Sequence, residues 1–368
     1  MHLGMKRKSG KKNSNRADKR SKGEKVNDWS NFKVASWRFK EKENKLLESY
    51  YVNVGVVPEE ERADWMDSLK KPLPITFRVL GCYEDKDFLV KRLQTDFNDF
   101  PVTVEQIERL EKVAHQSLLR NSDTPQEEEQ AGEEKEEKGK KDGDEKDEDD
   151  EGEDDDETTV EPPHALPWYP EGLAWRYNFS KRALKKAKVL KDFHNFLKRE
   201  TSMGNISRQE EVSMIPPVLF DLKESDRVLD MCASPGSKTA QLLEALHATT
   251  SEPTGVVVAN DVDFNRSNLL IHQTNRIASP ALIVTNHDAS KFPLTHPTKG
   301  QFDAILCDVP CSGDGTMRKN PELWSKWNPG LGAGLHTLQL RILLRAAALC
   351  KVGGTIVFST CSMNPIED

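Results

Sequence analysis

The 368-residue chain is 36% hydrophobic and 31% charged, long enough for two domains but too polar for every residue to lie in one packed core. No stretch approaches the roughly 20 apolar residues of a membrane span, and no apolar region follows the basic N-terminus, so a secretory signal is excluded and an intracellular protein is expected. The formal net charge of -8 comes largely from one acidic segment and says little about the folded surface.

Met1 to Lys25 carries 10 Lys/Arg against Asp18 and Glu24. Residues 1–30 read as a disordered basic tail that is either a nuclear address, a nucleic-acid arm or a soluble end. Residues 31–122 read as an N-terminal α+β region. It holds an amphipathic helix ending near Tyr50, a helix starting at Val57-Pro58-Glu59-Glu60-Glu61 with acids at its positive end, and a strand in Pro72 to Val79. Residues 123–161 read as a disordered insert, because Glu127 to Glu157 has 20 Asp/Glu, 5 Lys and no large apolar side chain. It is expected to loop out, its negative charge repelling any polyanion from the wrong face; unchanged polyanion affinity and salt dependence after its deletion would contradict this.

Residues 162–226 resume folded sequence at Leu166-Pro167-Trp168-Tyr169-Pro170 and Trp175, as an RNA-binding and connecting region. Within it, Leu184, Ala187, Leu190, Phe193 and Leu197 recur every three or four residues, which predicts a helix over Ser180 to Glu200. Its other face carries Lys181, Arg182, Lys185, Lys186, Lys188, Lys191, Lys198 and Arg199 against Asp192 and Glu200. That excess exceeds what solubility needs and points to phosphate contact.

From residue 227 the pattern becomes apolar runs separated by helices. Strands are predicted at Val228 to Asp230, Gly255 to Ala259, Ala281 to Val284, Phe302 to Leu306 and Thr355 to Phe358. Helices are predicted at Lys238 to His247, Phe264 to Ile277 and Gly334 to Cys350. This alternation predicts a doubly wound α/β domain over residues 227–368.

In such a sheet ligands bind beyond the carboxyl ends of the strands. The first strand is followed by Cys232-Ala233-Ser234-Pro235-Gly236-Ser237-Lys238, a small-residue turn that lets a ligand approach the backbone but matches neither a dinucleotide nor a phosphate-loop fingerprint. Asp261 suits ribose hydroxyls, and Asn286-His287-Asp288 suits an adenine amine. Each acid taken singly also suits a helix cap. Together they predict an adenosine without pyrophosphate, hence S-adenosylmethionine.

Thiols follow the fourth and fifth strands at Cys311 and Cys361. Carbon 5 of cytosine takes a methyl group only after a thiolate adds to carbon 6, so a strand-end thiol beside a methyl donor fits cytosine-5 methylation. The residues alone leave open which thiol attacks. Asp308 is positioned to hold the base by its N3 and N4 edge. Cys307, Cys350 and Cys82 read as buried filler. Cys307 and Cys311 have zinc-like spacing but no nearby His partners, so no metal is expected, and six cysteines in a reducing compartment argue against a disulfide framework.

The motifs Pro72 to Val79 (PLPITFRV), Leu166 to Trp175 (LPWYPEGLAW), Gly204 to Pro217 (GNISRQEEVSMIPP), Leu229 to Thr239 (LDMCASPGSKT), Asn286 to Ser290 (NHDAS), Asp308 to Asn320 (DVPCSGDGTMRKN) and Ser359 to Asp368 (STCSMNPIED) resemble the Nol/Nop/Sun RNA cytosine-5 methyltransferases, in particular their eukaryotic multisite tRNA branch. The resemblance implies a Rossmann-like methyltransferase domain preceded by a smaller α+β RNA-binding region. It implies Cys361 as nucleophile, Cys311 in release of methylated RNA, and Cys232 to Lys238, Asp261, Asp288 and Asp308 as S-adenosylmethionine contacts. Expected partners are tRNA or another RNA, with no membrane, for a monomer of the nucleus or nucleolus. Ser234 stands where many relatives have alanine. The chain stops seven residues after Cys361, where the family's sheet continues, so an incomplete sheet and a truncated catalytic domain are expected. A scaffold that keeps the fold without turnover is the rival, disfavoured by both thiols being intact.

Overall fold

A computed structural model describes residues 42–97, 163–179, 184, 190–294, 300 and 302–367, all within the compact unit Lys40–Asp368. The basic tail, the acidic insert and five cations of the predicted basic face (Lys181, Arg182, Lys185, Lys186 and Lys188) lie outside the described residues.

Two helices open the described chain, α1 (Lys45–Asn53) and α2 (Arg62–Lys70). Asn44 caps α1, its side chain accepting from Leu47 N–H at 2.9 Å. The helix runs past the expected end at Tyr50, and Val54 N–H closes its last turn on the Tyr50 carbonyl. Leu47 and Tyr51 are buried in one cluster with Met317, Trp324 and Trp327, so α1 packs on the C-terminal half of the molecule.

The first strand, β1 (Ile75–Val79), starts after Pro72 and Pro74, which cannot donate to a ladder. It lies in an antiparallel sheet with β2 (His164–Ala165), β3 (Ala174–Tyr177) and β4 (Ile206–Arg208), in the order β2-β3-β1-β4. Segments on either side of the acidic insert therefore share one sheet. Helices α3 (Lys86–Thr95) and α4 (Lys191–Met203) supply Leu89, Leu93, Phe193, Phe196 and Leu197 to its core beside Phe77, Trp175 and Tyr177. Leu184, Leu190, Phe193 and Leu197, four members of the predicted apolar stripe, are all buried. Gly204 ends α4 at φ +83, where a Cβ would stand 2.7 Å from the Arg276 carbonyl oxygen, so the left-handed stop needs glycine.

The second sheet is parallel: β5 (Arg227–Asp230), β6 (Val256–Asn260), β7 (Leu282–Thr285), β8 (Phe302–Asp308) and β9 (Cys350–Ser359), in the order β7-β6-β5-β8-β9. The short α5 (Ile215–Val218) leads into it, and α6 (Ser237–Leu246), α7 (Phe264–Thr274), α8 (Leu323–Lys326) and α9 (Pro329–Leu349) lie along its connections. The two-residue period of a strand sends Val228, Ala304 and Leu306 to a cluster with α6, and Leu229, Ile305 and Cys307 to a cluster with α9. This two-faced core is why the runs read as continuously apolar. The strands fall where the sequence predicts them, except that β9 begins at Cys350 through a register irregularity opposite Phe302 and Ala304. Helix α9 begins at Pro329, with Asn328 accepting from Gly330 N–H at 3.0 Å. Among the described residues no helix is long and apolar enough to cross a membrane.

The sheet order reverses at β5, which opens a crevice at the carboxyl ends of β5 and β8. A buried ion pair, Arg78 Nη1 to Glu244 Oε1 at 2.5 Å, joins the antiparallel sheet to α6. Arg78 Nε also donates to Gln209 at 2.9 Å, and Gln209 donates on to Gln241 at 2.6 Å.

Candidate active site

The residues Cys232 to Lys238 form the turn from β5 into α6, and the carboxyl ends of three strands close around it. Asn260, fully buried, donates to the Met231 and His287 carbonyls at 3.0 and 2.9 Å and accepts from Thr285 and His287 N–H. It thereby ties the ends of β5, β6 and β7 together. Asp261, only 2% exposed, accepts from Ser234 N–H at 3.2 Å and Asp263 N–H at 3.0 Å. Ser234 is bound in turn to Arg266, its hydroxyl donating to the Arg266 carbonyl at 2.9 Å while Arg266 Nη2 donates to the Ser234 carbonyl at 2.8 Å.

Gly236 begins α6 at φ +107, and a Cβ there would approach Leu270 Cδ1 to 2.8 Å. Asp288 takes the capping geometry, accepting from Ser290 N–H at 3.0 Å and Ser290 Oγ at 2.7 Å, and pairs with Lys291 at 3.0 Å. The Ser290 hydrogen bonds and Lys291 hold its carboxyl below the usual range. Under the turn lies Asp230, 1% exposed. Its Oδ2 accepts from Thr239 Oγ1 at 2.7 Å, its Oδ1 is buried without a hydrogen-bond partner, and burial pushes its carboxyl up to about 7.

Across the crevice, Asp308 ends β8. Its Oδ2 takes a 2.7 Å bond from Lys238 Nζ and its Oδ1 a 2.8 Å bond from Ser359 Oγ. Pairing of β8 with β9 continues to Val309 N–H on the Ser359 carbonyl at 3.0 Å, so the segments after the two strands leave side by side. Each carries its cysteine: Cys311 Sγ and Cys361 Sγ stand 3.2 Å apart, and Cys361 N–H donates to Cys311 Sγ at 3.2 Å. That separation far exceeds the roughly 2.05 Å of a disulfide bond, and both thiols are free.

The pair is electrostatically unequal. The hydrogen bond from Cys311, helped by the charges of Lys319 and Lys238 and opposed by burial and Asp308, lowers the Cys361 thiol below its ordinary value. Cys311 is pushed well up, because its proton serves Cys361 and because it is desolvated. A thiol with a lowered pKa beside one that holds its proton is an arrangement for nucleophilic addition followed by proton-assisted departure. Cys307 is buried among Met231, Ile305 and Ile342, and burial raises it to about 12, as suits filler. Among the described residues no group of three or more His, Cys, Asp or Glu is placed to hold a metal ion.

Sequence reasoning missed the supports of this pair. Asp314 is fully buried and Glu367 is 2% exposed, and both accept hydrogen bonds within the two cysteine segments. Lys319, which pairs with Glu210 across the crevice, was likewise not singled out. Asp314 and Lys319 lie inside a motif that was read, so proximity to Cys311 was the one available signal.

Known proteins are similar to this chain over most of its length. Residues 217–368 match the family model described as 16S rRNA methyltransferase RsmB/F. A Drosophila melanogaster tRNA (cytosine(34)-C(5))-methyltransferase is 41% identical over 88% of this chain and 39% of its own length. A Saccharomyces cerevisiae multisite-specific tRNA:(cytosine-C(5))-methyltransferase is 40% identical over 90% of this chain and 43% of its own. The chain thus spans about two fifths of the length of these curated relatives. A solved methyltransferase homologue from Pyrococcus horikoshii is similar in fold, with a TM-score of 0.54 at 24% identity, covering 88% of this chain and 75% of that one. The cysteine-bearing strand ends thus lie within residues 217–368, the part of the chain that carries the RsmB/F methyltransferase family match.

Proposed function

We propose that this chain carries the S-adenosylmethionine-dependent methylation of carbon 5 of cytosine in RNA, with tRNA as substrate class and the nucleus as site of action. The observation that carries the reading is the pair of free thiols 3.2 Å apart just beyond the carboxyl ends of β8 and β9. The curated relatives' names support the tRNA substrate.

The crevice fits the cofactor. Asp230 Oδ1 is an orphaned buried acceptor beneath the β5–α6 turn, suited to a hydroxyl or ammonium donor, and Asp288 keeps a partly exposed carboxylate at the end of β7. Cys232, Ala233, Ser234, Pro235, Gly236, Ser237 and Lys238, with Asp261, Asp288 and Asp308, would hold it. When bound, S-adenosylmethionine supplies an electrophilic methyl group.

In this reading the target cytosine leaves its stack to reach the crevice. The Cys361 thiolate adds to carbon 6, forming a carbon–sulfur bond and raising electron density at carbon 5. Asp308, itself oriented by Lys238 and Ser359, stabilises the base edge. After methyl transfer the carbon 5 proton leaves to a solvent base, the carbon–hydrogen electrons re-form the carbon 5–carbon 6 double bond, and the carbon–sulfur electrons depart with the Cys361 sulfur, assisted by Cys311.

The test incubates the protein with labelled S-adenosylmethionine and total tRNA, beside Cys361→Ala and Cys311→Ala. Transfer should fall by about a thousandfold or more in Cys361→Ala, and a covalent RNA–protein adduct should accumulate in Cys311→Ala. Transfer that survives Cys361→Ala would sink the assignment.

A further inference from the structure

Strand pairing stops at Ser359, yet the thiols two residues further on are held at 3.2 Å. Two buried carboxylates cross between the segments in opposite directions. Glu367, on the segment after β9, accepts from Ser312 N–H at 2.8 Å, from Ser312 Oγ, from Ser362 Oγ at 2.7 Å and from Gln339 Nε2 at 3.0 Å. Asp314, on the segment after β8, accepts from Met363 N–H at 2.7 Å, Trp327 Nε1 at 2.9 Å and Tyr51 OH. Ser312 directly follows Cys311 and Ser362 directly follows Cys361. Glu367 therefore grips the neighbour of each thiol at once.

We propose that Glu367 is a positioning residue that fixes Cys311 against Cys361 and so sets which of the two gives up its proton. A carboxylate this buried is stable only when its lone pairs are met by donors, and the donors here come from both segments and from α9. Glutamine keeps one oxygen for Ser312 N–H and Gln339 Nε2, but its uncharged amide faces the Ser312 and Ser362 hydroxyls, which must turn to accept and lose their charge-assisted bonds to Oε2. The segments would then shift and the sulfur–sulfur hydrogen bond would loosen.

The sign of the effect separates position from charge. Besides Cys311, the charged groups acting on Cys361 are Asp308, Lys319 and Lys238, and Glu367 forms hydrogen bonds instead to Ser312, Ser362 and Gln339. Removing a negative charge nearby would by itself favour the thiolate and lower the pH midpoint of Cys361 reactivity. Loss of the Cys311 hydrogen bond would raise it.

The experiment alkylates the protein with iodoacetamide across the neutral and alkaline range and follows the Cys361 peptide by mass spectrometry. In Glu367→Gln the midpoint should rise by about one pH unit, with roughly tenfold slower alkylation at neutral pH. Turnover on total tRNA should fall about tenfold, while KM stays within about twofold. Ser362→Ala removes one donor and should move the midpoint the same way; it decides the matter where Glu367→Gln does not fold. A midpoint unmoved or lowered in the folded variant overturns the proposal. The turnover arm rests on the methyltransferase reading, whereas the alkylation arm needs only the thiols. A raised midpoint in a protein inactive on tRNA would contradict that reading and leave the positioning role standing.

Discussion

Asp230 illustrates how one buried side chain reports on the site at the residue scale. Burial raises its carboxyl from 3.8 to about 7, so between those values the native state holds a proton that the unfolded chain has released. Stability should therefore fall as pH rises across that window. Asp230→Asn keeps an oxygen to accept from Thr239 but cannot ionise. Its thermal midpoint should match the parent's at acid pH and exceed it by roughly a few degrees near pH 8; identical pH profiles would contradict the assignment. The thiols were legible because they follow apolar runs in a parallel sheet, whereas Asp230 reads from sequence only as the end of a strand. Glu367, Asp314 and Asn260 were not legible, since their roles depend on burial and on partners far away in sequence.

At the scale of elements, the turn from β5 into α6 is the most constrained. Gly236 combines φ +107 with space closed by Leu270 at 2.8 Å and Thr274 at 3.2 Å, so Gly236→Ala should destabilise the protein by about 1–3 kcal/mol. Denaturant unfolding checks this, and a variant as stable as the parent would show that the turn relaxes freely. The parallel strands were legible because both faces are buried, which leaves uninterrupted Val, Ile and Leu runs. Their ends were less so: β9 gains residues from Cys350 through an irregular pairing with β8, and α9 starts early because Asn328 and Pro329 supply a cap and a preset first turn.

At the scale of the whole molecule, the antiparallel sheet is fastened to helix α6, which covers the parallel sheet, by Arg78 and Glu244, whose side chains are 0% and 8% exposed. Arg78→Met leaves an unpaired buried carboxylate and should cost about 3–5 kcal/mol, much of it recovered in Arg78→Met combined with Glu244→Leu. Chemical unfolding of the single and double variants measures the coupling, and additive losses would contradict a direct pair. No local pattern reveals this joint, because Arg78 and Glu244 lie on opposite sides of the acidic insert and read separately as surface charges.

The division of labour proposed for the two thiols is that Cys361 forms the bond to RNA while Cys311 ends it. It is tested most directly by trapping the parent protein on tRNA in which 5-azacytidine replaces cytidine, and mapping the cross-linked nucleotide by peptide mass spectrometry. The expected result is a single adduct on the peptide containing Cys361. An adduct on Cys311, or none in the presence of S-adenosylmethionine, would contradict the account.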